Sequence, residues 1–193
     1  MSYYFELLQM NINSLKTIYP FLEVGSIGKS VMGKELTYIR LGTGPKEVFY
    51  SGAIHSNEWI TATLLMKFIE NFCRGYVRNG NIYGYNLRDI FNDTSIYIVP
   101  MVNPDAVDLV VGALSENTEA YRNAAGLARN YPALDFQSGW KANIVGVNFL
   151  GLQLFKLSNH LHIRIIKKLN NFARFFKHAD YLLSVRENSY LDK

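Results

Sequence analysis

The chain has 193 residues, of which 49% are hydrophobic and 19% charged, and its formal net charge is +4. This length and composition are typical of one globular domain and exclude an intrinsically disordered chain. No apolar run reaches the ~18–20 residues of a membrane helix, so we expect no membrane span. Cys73 is the single cysteine, and the first ten residues lack the pattern of a signal peptide. Both features favour a cytoplasmic location.

The charge is unevenly distributed along the chain. Up to Asn148 there are 12 Lys and Arg against 13 Asp and Glu, whereas from Phe149 onward there are 8 against 3. All 5 prolines and 13 of the 14 glycines also precede Phe149. This abrupt change predicts a boundary between a domain over residues 10–148 and an atypical basic tail over residues 149–193.

Hydrophobic periodicity predicts strands that alternate with helices. The first half is expected to contain a helix (11–19), a strand (34–42), a buried strand (47–54) and a helix beginning near Glu58 with Ser56 or Asn57 as its cap. The second half is expected to contain a loop (79–86), a buried strand from 95 that leads to a turn at 103–105, a helix (115–131) and an irregular segment (132–148). Alternation of this kind predicts an α/β fold with a sheet covered by helices.

Two polar residues directly follow the predicted buried strands. His55 follows the first of these strands, and Asn103 follows the second. In open α/β sheets, functional side chains collect at the carboxyl ends of the strands. The functional residues are therefore expected at this edge of the sheet.

His55 and Glu58 form an H-x-x-E motif at the predicted junction of strand and helix. Imidazole and carboxylate groups are zinc ligands, and a catalytic zinc keeps three protein ligands with one position open for water. Two ligands three residues apart at such a junction can reach one ion. On spacing alone, the alternative is a capping glutamate beside an ordinary histidine.

The surrounding sequence resembles a known family. "SGAIHSNEWIT" is followed about 45 residues later by "IVPMVNPDAVDLV", a combination similar to the zinc carboxypeptidases of the carboxypeptidase A type. Ala106 stands where that family usually has glycine, which is expected to alter the local turn. "GPKEVFYSGAIHSNEW" and "YPALDFQSGWKANIVGV" look most like the bacterial γ-D-glutamyl-diaminopimelate peptidases, which cut cell-wall peptides. The resemblance covers roughly residues 10–148 and implies the N-terminal part of a mixed sheet covered by helices.

The resemblance also implies zinc-dependent hydrolysis of peptides, with peptidoglycan-derived peptides as substrates. His55 and Glu58 would be the first two ligands of Zn2+, which lowers the pKa of its bound water and polarises the scissile carbonyl. Lys141 aligns near the family's oxyanion arginine and is a candidate contact to the oxyanion or substrate, with a solvated surface lysine as the alternative. Arg122 and Arg129 are expected on a helix surface, and the alternative is that one of them reaches the cleft.

The resemblance ends near residue 148. The family continues with D-L-N, but Asn148 replaces the aspartate, and the family's third zinc histidine and catalytic glutamate come much later. His160 and His162 lie too close to Asn148 for the family's interval, and Glu187 is the single glutamate of the tail. The third ligand and the general base are therefore not found, and the catalytic site is predicted to be incomplete.

Three functional hypotheses remain open at this stage. The chain is a zinc peptidase by descent, of either carboxypeptidase or endopeptidase type, or it is a non-catalytic fragment or peptide-binding module. The third hypothesis is a surface-binding protein that acts through the basic segment 156–177, although no nucleic-acid motif is present. For the tail itself we expect truncation or a shifted reading frame near residue 148, and the alternative is a natural short homologue.

Overall fold

The computed structural model describes residues 3–133 and 135–147 of the chain. Its strands are β1 (Glu23–Lys29), β2 (Glu35–Leu41), β3 (Lys46–Ser51), β4 (Asn81–Ile82), β5 (Tyr85–Asn86) and β6 (Thr94–Val99). Its helices are α1 (Phe5–Ile18), α2 (Ile60–Val77), α3 (Leu87–Asp93), α4 (Pro104–Val110) and α5 (Glu119–Ala128). A single 3-10 turn, Ser56–Glu58, lies between β3 and α2.

Four of the strands form one mixed sheet in the order β1-β2-β6-β3. The pairs β1–β2 and β2–β6 are antiparallel, and β3 runs parallel to β6. A parallel pair requires a crossover connection, and the chain between β3 and β6 supplies one that contains α2 and α3. The mixed α/β architecture predicted from the sequence is therefore confirmed.

The core of the sheet lies in its two central strands. Ile39 pairs with Ile98 and Leu41 with Ile96 across the β2–β6 ladder, and all four side chains are buried. Branched aliphatic side chains pack well against one another across paired strands, so these pairs hold the register of the sheet. Both strands are consequently buried far more completely than β1 or β3.

Helix α2 covers the sheet with one apolar face. Its buried residues recur at helical spacing and are Ala62, Met66, Ile69, Phe72 and Cys73. Complete burial of a side chain as large as Ile69 or Phe72 contributes about 1.5–3 kcal/mol to the free energy of unfolding. The packing of this face holds the start of α2, and therefore the 3-10 turn before it, at a set position on the sheet.

A second hydrophobic cluster packs the end of the described chain against α4 and α5. Its buried members are Ala106, Leu109, Ala124, Trp140 and Ile144. Trp140 and Ile144 belong to the segment that was predicted to be irregular, and the described residues of this segment form no helix or strand. Because its large side chains are buried, the segment has a defined place beside α4 in spite of its irregular backbone.

The structure differs from the sequence prediction at its smaller elements. β1 was not predicted because "EVGSIGK" alternates poorly; it forms by pairing with β2. The predicted loop 79–86 contains a hairpin whose turn residues, Tyr83 and Gly84, both have positive φ. That conformation is typical of tight two-residue hairpin turns.

The turn predicted at residues 103–105 was also wrong, because helix α4 begins there. Pro104 occupies the first turn of this helix, where its fixed φ is already helical and its missing N–H costs nothing. Ala106 lies inside α4 and is fully buried. Alanine suits a helix interior better than glycine does, so the departure from the family pattern leaves this turn of helix undisturbed.

No helix in the described part of the chain is long and apolar enough to cross a membrane.

Candidate metal centre

His55 and Glu58 lie where the chain leaves β3 and enters the 3-10 turn. The Nδ1 atom of His55 is 3.1 Å from Oε1 of Glu58. The side chains are 23% and 50% exposed, so the pair is open to solvent on one side. The turn brings the side chains of two residues, three positions apart in the sequence, into contact, as the motif predicted.

The donor atoms of this pair fit a zinc ion. Zinc binds imidazole nitrogen and carboxylate oxygen at about 2.1 Å, so two such ligands on a tetrahedral ion lie about 3.4 Å apart. The observed separation of 3.1 Å between His55 Nδ1 and Glu58 Oε1 is close to that value. The two side chains can therefore ligate one ion with little rearrangement.

Thr61 holds the backbone on either side of His55 in place through two hydrogen bonds. Its Oγ1 accepts a hydrogen bond from the backbone N–H of Ala53 at 2.7 Å and donates one to the carbonyl of Glu58, also at 2.7 Å. Ala53 is buried and has φ +48°, a conformation that costs a residue other than glycine about 1–2 kcal/mol. The hydroxyl of Thr61 therefore holds the chain in an unfavourable bend directly before His55.

The expected capping role of Ser56 or Asn57 was wrong. Neither side chain caps the 3-10 turn or α2, and Trp59 occupies the N-cap position of α2. The hydroxyl of Ser56 instead donates to the carbonyl of Trp140 at 2.6 Å. Because that partner is 84 residues away along the chain, no local sequence pattern could have revealed it.

Asn103 joins the carboxyl ends of the two parallel strands. Its backbone N–H donates to the carbonyl of Ala53 at 3.1 Å, and its Nδ2 donates to the carbonyls of Ile54 and Ala142 at 3.3 and 3.1 Å. Its side chain is almost fully buried. The expectation that His55 and Asn103 share one edge of the sheet is thus confirmed, with Asn103 bonded to the two residues that precede His55.

Lys141 lies next to the same turn. The carbonyls on either side of it, those of Trp140 and Ala142, accept hydrogen bonds from Ser56 and Asn103. The Lys141 side chain itself is exposed. The structure therefore brings the backbone of this candidate beside the turn that carries His55 and Glu58.

The two arginines considered from the sequence lie elsewhere. Arg122 is exposed on α5 and donates from Nη1 to the carbonyl of Asn117 at 3.0 Å. Arg129 is exposed at the C-terminal end of the same helix. Both occupy the helix-surface positions that were expected of them.

A buried ionic network supports α4 and was missed by the sequence analysis. The carboxylate of Asp105 accepts hydrogen bonds from Ser30 Oγ and from the backbone N–H of Met32, each at 2.9 Å. Lys34 Nζ donates to Asp108 Oδ2 at 2.7 Å. The available signal was two carboxylates, three residues apart, directly after a buried strand.

The described residues do not complete a metal site. Across residues 3–133 and 135–147, no group of three or more His, Cys, Asp or Glu side chains is placed to hold an ion. The tail candidates His160, His162 and Glu187 lie outside the described residues.

Comparison with known proteins identifies the family. The family model described as zinc carboxypeptidase matches residues 8–149. This chain belongs to the zinc carboxypeptidase family. Membership of this family implies Zn2+ in general, which agrees with the donor atoms of the His55–Glu58 pair.

Individual relatives of this zinc carboxypeptidase chain include bacterial and animal enzymes. The chain is 37% identical over 147 residues to gamma-D-glutamyl-L-diamino acid endopeptidase 1 of Lysinibacillus sphaericus. The aligned region covers 76% of this chain and 36% of the relative. The chain is 33% identical over 121 residues to carboxypeptidase E of Caenorhabditis elegans, covering 56% of this chain and 25% of the relative. The chain thus spans about a third or less of the length of these curated relatives. The resemblance to bacterial peptidases of γ-D-glutamyl peptides is confirmed.

Solved structures show the same fold. A metallo-carboxypeptidase from Burkholderia cenocepacia superposes with a TM-score of 0.56 at 15% identity, covering 88% of this chain and 38% of that chain. A metallo-carboxypeptidase from Pseudomonas aeruginosa superposes with a TM-score of 0.54 at 13% identity, covering 88% and 37%. The architecture is therefore that of part of a carboxypeptidase fold.

Proposed function

We propose that this chain carries the first part of a zinc-dependent peptidase centre, with His55 and Glu58 as two of its zinc ligands. The observation that carries the proposal is the convergence of His55 Nδ1 and Glu58 Oε1 at the carboxyl edge of the parallel strands. The fit of these donor atoms to zinc and the membership of the family both support it.

The residues of this chain have distinct roles in the proposed chemistry. When bound, zinc supplies a water of lowered pKa and polarises a peptide carbonyl. His55 and Glu58 hold the ion, and Thr61 and Asn103 keep their backbone in place. The ammonium of Lys141 stabilises negative charge on the carbonyl oxygen or on a substrate carboxylate, as a single point charge.

We further propose that the substrates are cell-wall peptides with a γ-D-glutamyl linkage to a diamino acid. This is supported by the identity shared with the Lysinibacillus sphaericus endopeptidase, whose name states that linkage. A cytoplasmic location is proposed on the ground that the single cysteine, Cys73, is a free buried thiol. Fractionation of cells that express the chain tests this location.

The chain is proposed to be inactive as it stands, because no third ligand joins the pair among the described residues and the sequence offers no convincing counterpart of the family's catalytic glutamate. The same observation favours the second candidate function, a non-catalytic fragment or peptide-binding module. The family domain is proposed to occupy residues 10–148, supported by the family match to residues 8–149.

Zinc binding is the decisive experiment. Titration of the purified full chain with Zn2+ in a calorimeter should show one site, and His55→Ala or Glu58→Ala should weaken it at least about tenfold, since each change removes a ligand. Glu6→Gln, a change at an exposed glutamate on α1, is the matched control and should leave the affinity unchanged. Binding that survives both ligand changes would overturn the proposed site.

The tail histidines and catalytic activity are tested in parallel. The double change His160→Ala, His162→Ala should leave zinc binding as it is, because neither is proposed as a ligand. Turnover of a γ-D-glutamyl-diaminopimelate peptide should be absent with zinc loaded, while the peptide itself binds. Zinc-dependent turnover that is lost in the double variant would identify a tail histidine as the third ligand.

A further inference from the structure

Ser56 lies between the two zinc-ligand candidates and makes a hydrogen bond that metal binding by those candidates does not require. Its side chain is completely buried, and its Oγ lies 2.6 Å from the carbonyl of Trp140 and 3.4 Å from that of Ala142. A hydroxyl can rotate to serve either acceptor. The hydroxyl thus ties the 3-10 turn to a segment that is distant in the sequence.

The two carbonyl acceptors bracket a single residue, Lys141. Asn103 adds a second hydrogen bond, from Nδ2 to the carbonyl of Ala142 at 3.1 Å. The Trp140 ring is buried, and its Nε1 donates to the carbonyl of Asn143 at 3.1 Å. The backbone of Lys141 is therefore held on both sides, while its side chain is exposed.

We infer that Ser56 is a positioning residue, whose hydroxyl holds Lys141 beside the His55–Glu58 pair. The inference rests on the proposed function, because it is that function which gives Lys141 a substrate to contact. Ser56 fits this role because it lies in the same 3-10 turn as Glu58 and directly follows His55. Its hydroxyl is thus a direct link between the turn that carries the pair and the carbonyl that precedes Lys141.

The loss of this hydroxyl is expected to affect the two carbonyls unequally. In Ser56→Ala the buried carbonyl of Trp140 loses its donor, and an unpaired buried carbonyl is unfavourable. The carbonyl of Ala142 keeps the bond from Asn103. The segment is therefore expected to loosen at Trp140 and Lys141 while α2, α4 and α5 stay folded.

A spin label at position 141 reports this loosening directly. Lys141→Cys introduces one reactive thiol, because Cys73 is buried and its burial raises the pKa of its thiol to about 12. In the full-length labelled chain, Ser56→Ala should shorten the rotational correlation time of the nitroxide roughly twofold or more. Ser56→Thr, which keeps the hydroxyl, should restore the parent spectrum, and Ser14→Ala at an exposed serine of α1 should leave it unchanged.

A second label position separates positioning from general destabilisation. Arg129→Cys places the label on the exposed end of α5, which Ser56 does not contact. Greater mobility at 141 with an unchanged spectrum at 129 supports the inference. The inference is overturned if the label at 141 gives equal spectra in the parent and in folded Ser56→Ala. It is also overturned if both labels become equally more mobile in a Ser56→Ala chain whose unreactive Cys73 shows that the fold is intact.

Cu2+ added in place of zinc covers the case in which Ser56→Ala fails to fold. In the parent chain, Cu2+ on His55 and Glu58 should broaden the signal of the label at 141 and leave the label at 129 much sharper. The inference is overturned if copper binds and broadens the signals of the labels at 141 and 129 equally. If copper does not bind, or binds equally well in His55→Ala, the proposed function fails. In that case the mobility at position 141 in folded Ser56→Ala decides separately whether Ser56 holds Lys141.

Discussion

At the residue scale, the two proposed metal ligands, His55 and Glu58, depend on a neighbouring side chain for their backbone geometry. Thr61 bridges the Ala53 N–H and the Glu58 carbonyl with one hydroxyl, at 2.7 Å to each. It thereby holds both the backbone that precedes His55 and the backbone of Glu58 itself. Ala53 is in the left-handed region, so the local chain has no tendency to keep this shape without that bridge.

Replacement of Thr61 by valine should therefore weaken both stability and metal binding. The change removes two hydrogen bonds at nearly constant shape, and we expect a loss of about 1–3 kcal/mol in the free energy of unfolding. Urea denaturation followed by circular dichroism measures this loss, and calorimetry measures the accompanying fall in zinc affinity. Thr17→Val, at an exposed threonine of α1 that bonds to Asn13, should change the zinc affinity little. Zinc affinity unaltered in Thr61→Val would show that the bridge does not support the pair.

Cys73 is a second residue whose surroundings lead to a measurable prediction. It is fully buried on α2, and desolvation raises the pKa of its thiol to about 12. In the unfolded chain the thiol ionises near its ordinary pKa of about 8.5. The buried neutral thiol thus contributes stability that is present below pH 8.5 and is lost as the pH rises toward 12.

The folded chain should accordingly resist alkylation of Cys73. With iodoacetamide at pH 8, mass spectrometry should find the thiol unmodified in native buffer and fully modified in urea, because only a thiolate that is accessible to the reagent reacts quickly. The rate of labelling then reports the opening of α2. Rapid labelling under native conditions would mean that the packing of α2 on the sheet is not maintained in solution.

At the scale of elements, the order of the strands explains an unusual turn. β2 and β3 both lie beside β6, so the connection between them has to cross the beginning of β6. Gly44 lies in that connection, and a Cβ there would fall on the backbone of Asp93 and Thr94. Glycine is thus required at position 44 because two chain segments approach each other closely there, and not only because the chain turns.

The substitution Gly44→Ala should therefore be strongly destabilising. The backbone of Asp93 and Thr94 cannot move without disturbing the start of β6, so we expect a loss of about 1–3 kcal/mol or more. Gly126→Ala is the matched control, since its Cβ meets nothing within 4 Å on helix α5. Because alanine is the better helix former, Gly126→Ala should stabilise the chain by up to about 1 kcal/mol. Thermal melts compare the two variants, and equal midpoints would contradict this account of the turn.

At the scale of the whole molecule, the chain covers only part of the proteins it resembles. It spans 36% of the Lysinibacillus sphaericus endopeptidase and 38% of the solved Burkholderia cenocepacia enzyme. The described residues hold two zinc-ligand candidates and no third. A catalytic centre with three protein ligands therefore needs a third ligand that the described residues do not supply.

We propose that residues 149–193 are translated from a shifted reading frame. The change in composition at Phe149 and the end of the family match at the same residue support this proposal. Resequencing of the gene should then show another frame after codon 147 that begins with D-L-N and later encodes a histidine and a glutamate. If no frame does so, the basic tail is the natural sequence.

The sequence alone was sufficient for the features that short-range patterns encode. The spacing of Ala62, Met66 and Ile69 predicted α2, and the apolar runs predicted β3 and β6. The family resemblance predicted His55 and Glu58 as ligands because a motif of four residues contains both candidates in one turn. β1 escaped prediction, because its place in the sheet comes from its partner β2 and not from its own residues.

Only the tertiary structure decided which residues surround that motif. Ser56 looked like a helix cap and instead bonds to Trp140, and Asn103 bonds to both Ile54 and Ala142. These hydrogen bonds join segments that are 39 to 84 residues apart, so their formation depends on the packing of Trp140 and Ile144 against α4 and α5. A pattern in sequence records the period of one element, whereas a buried polar contact requires two elements to be in place before either side chain has a partner.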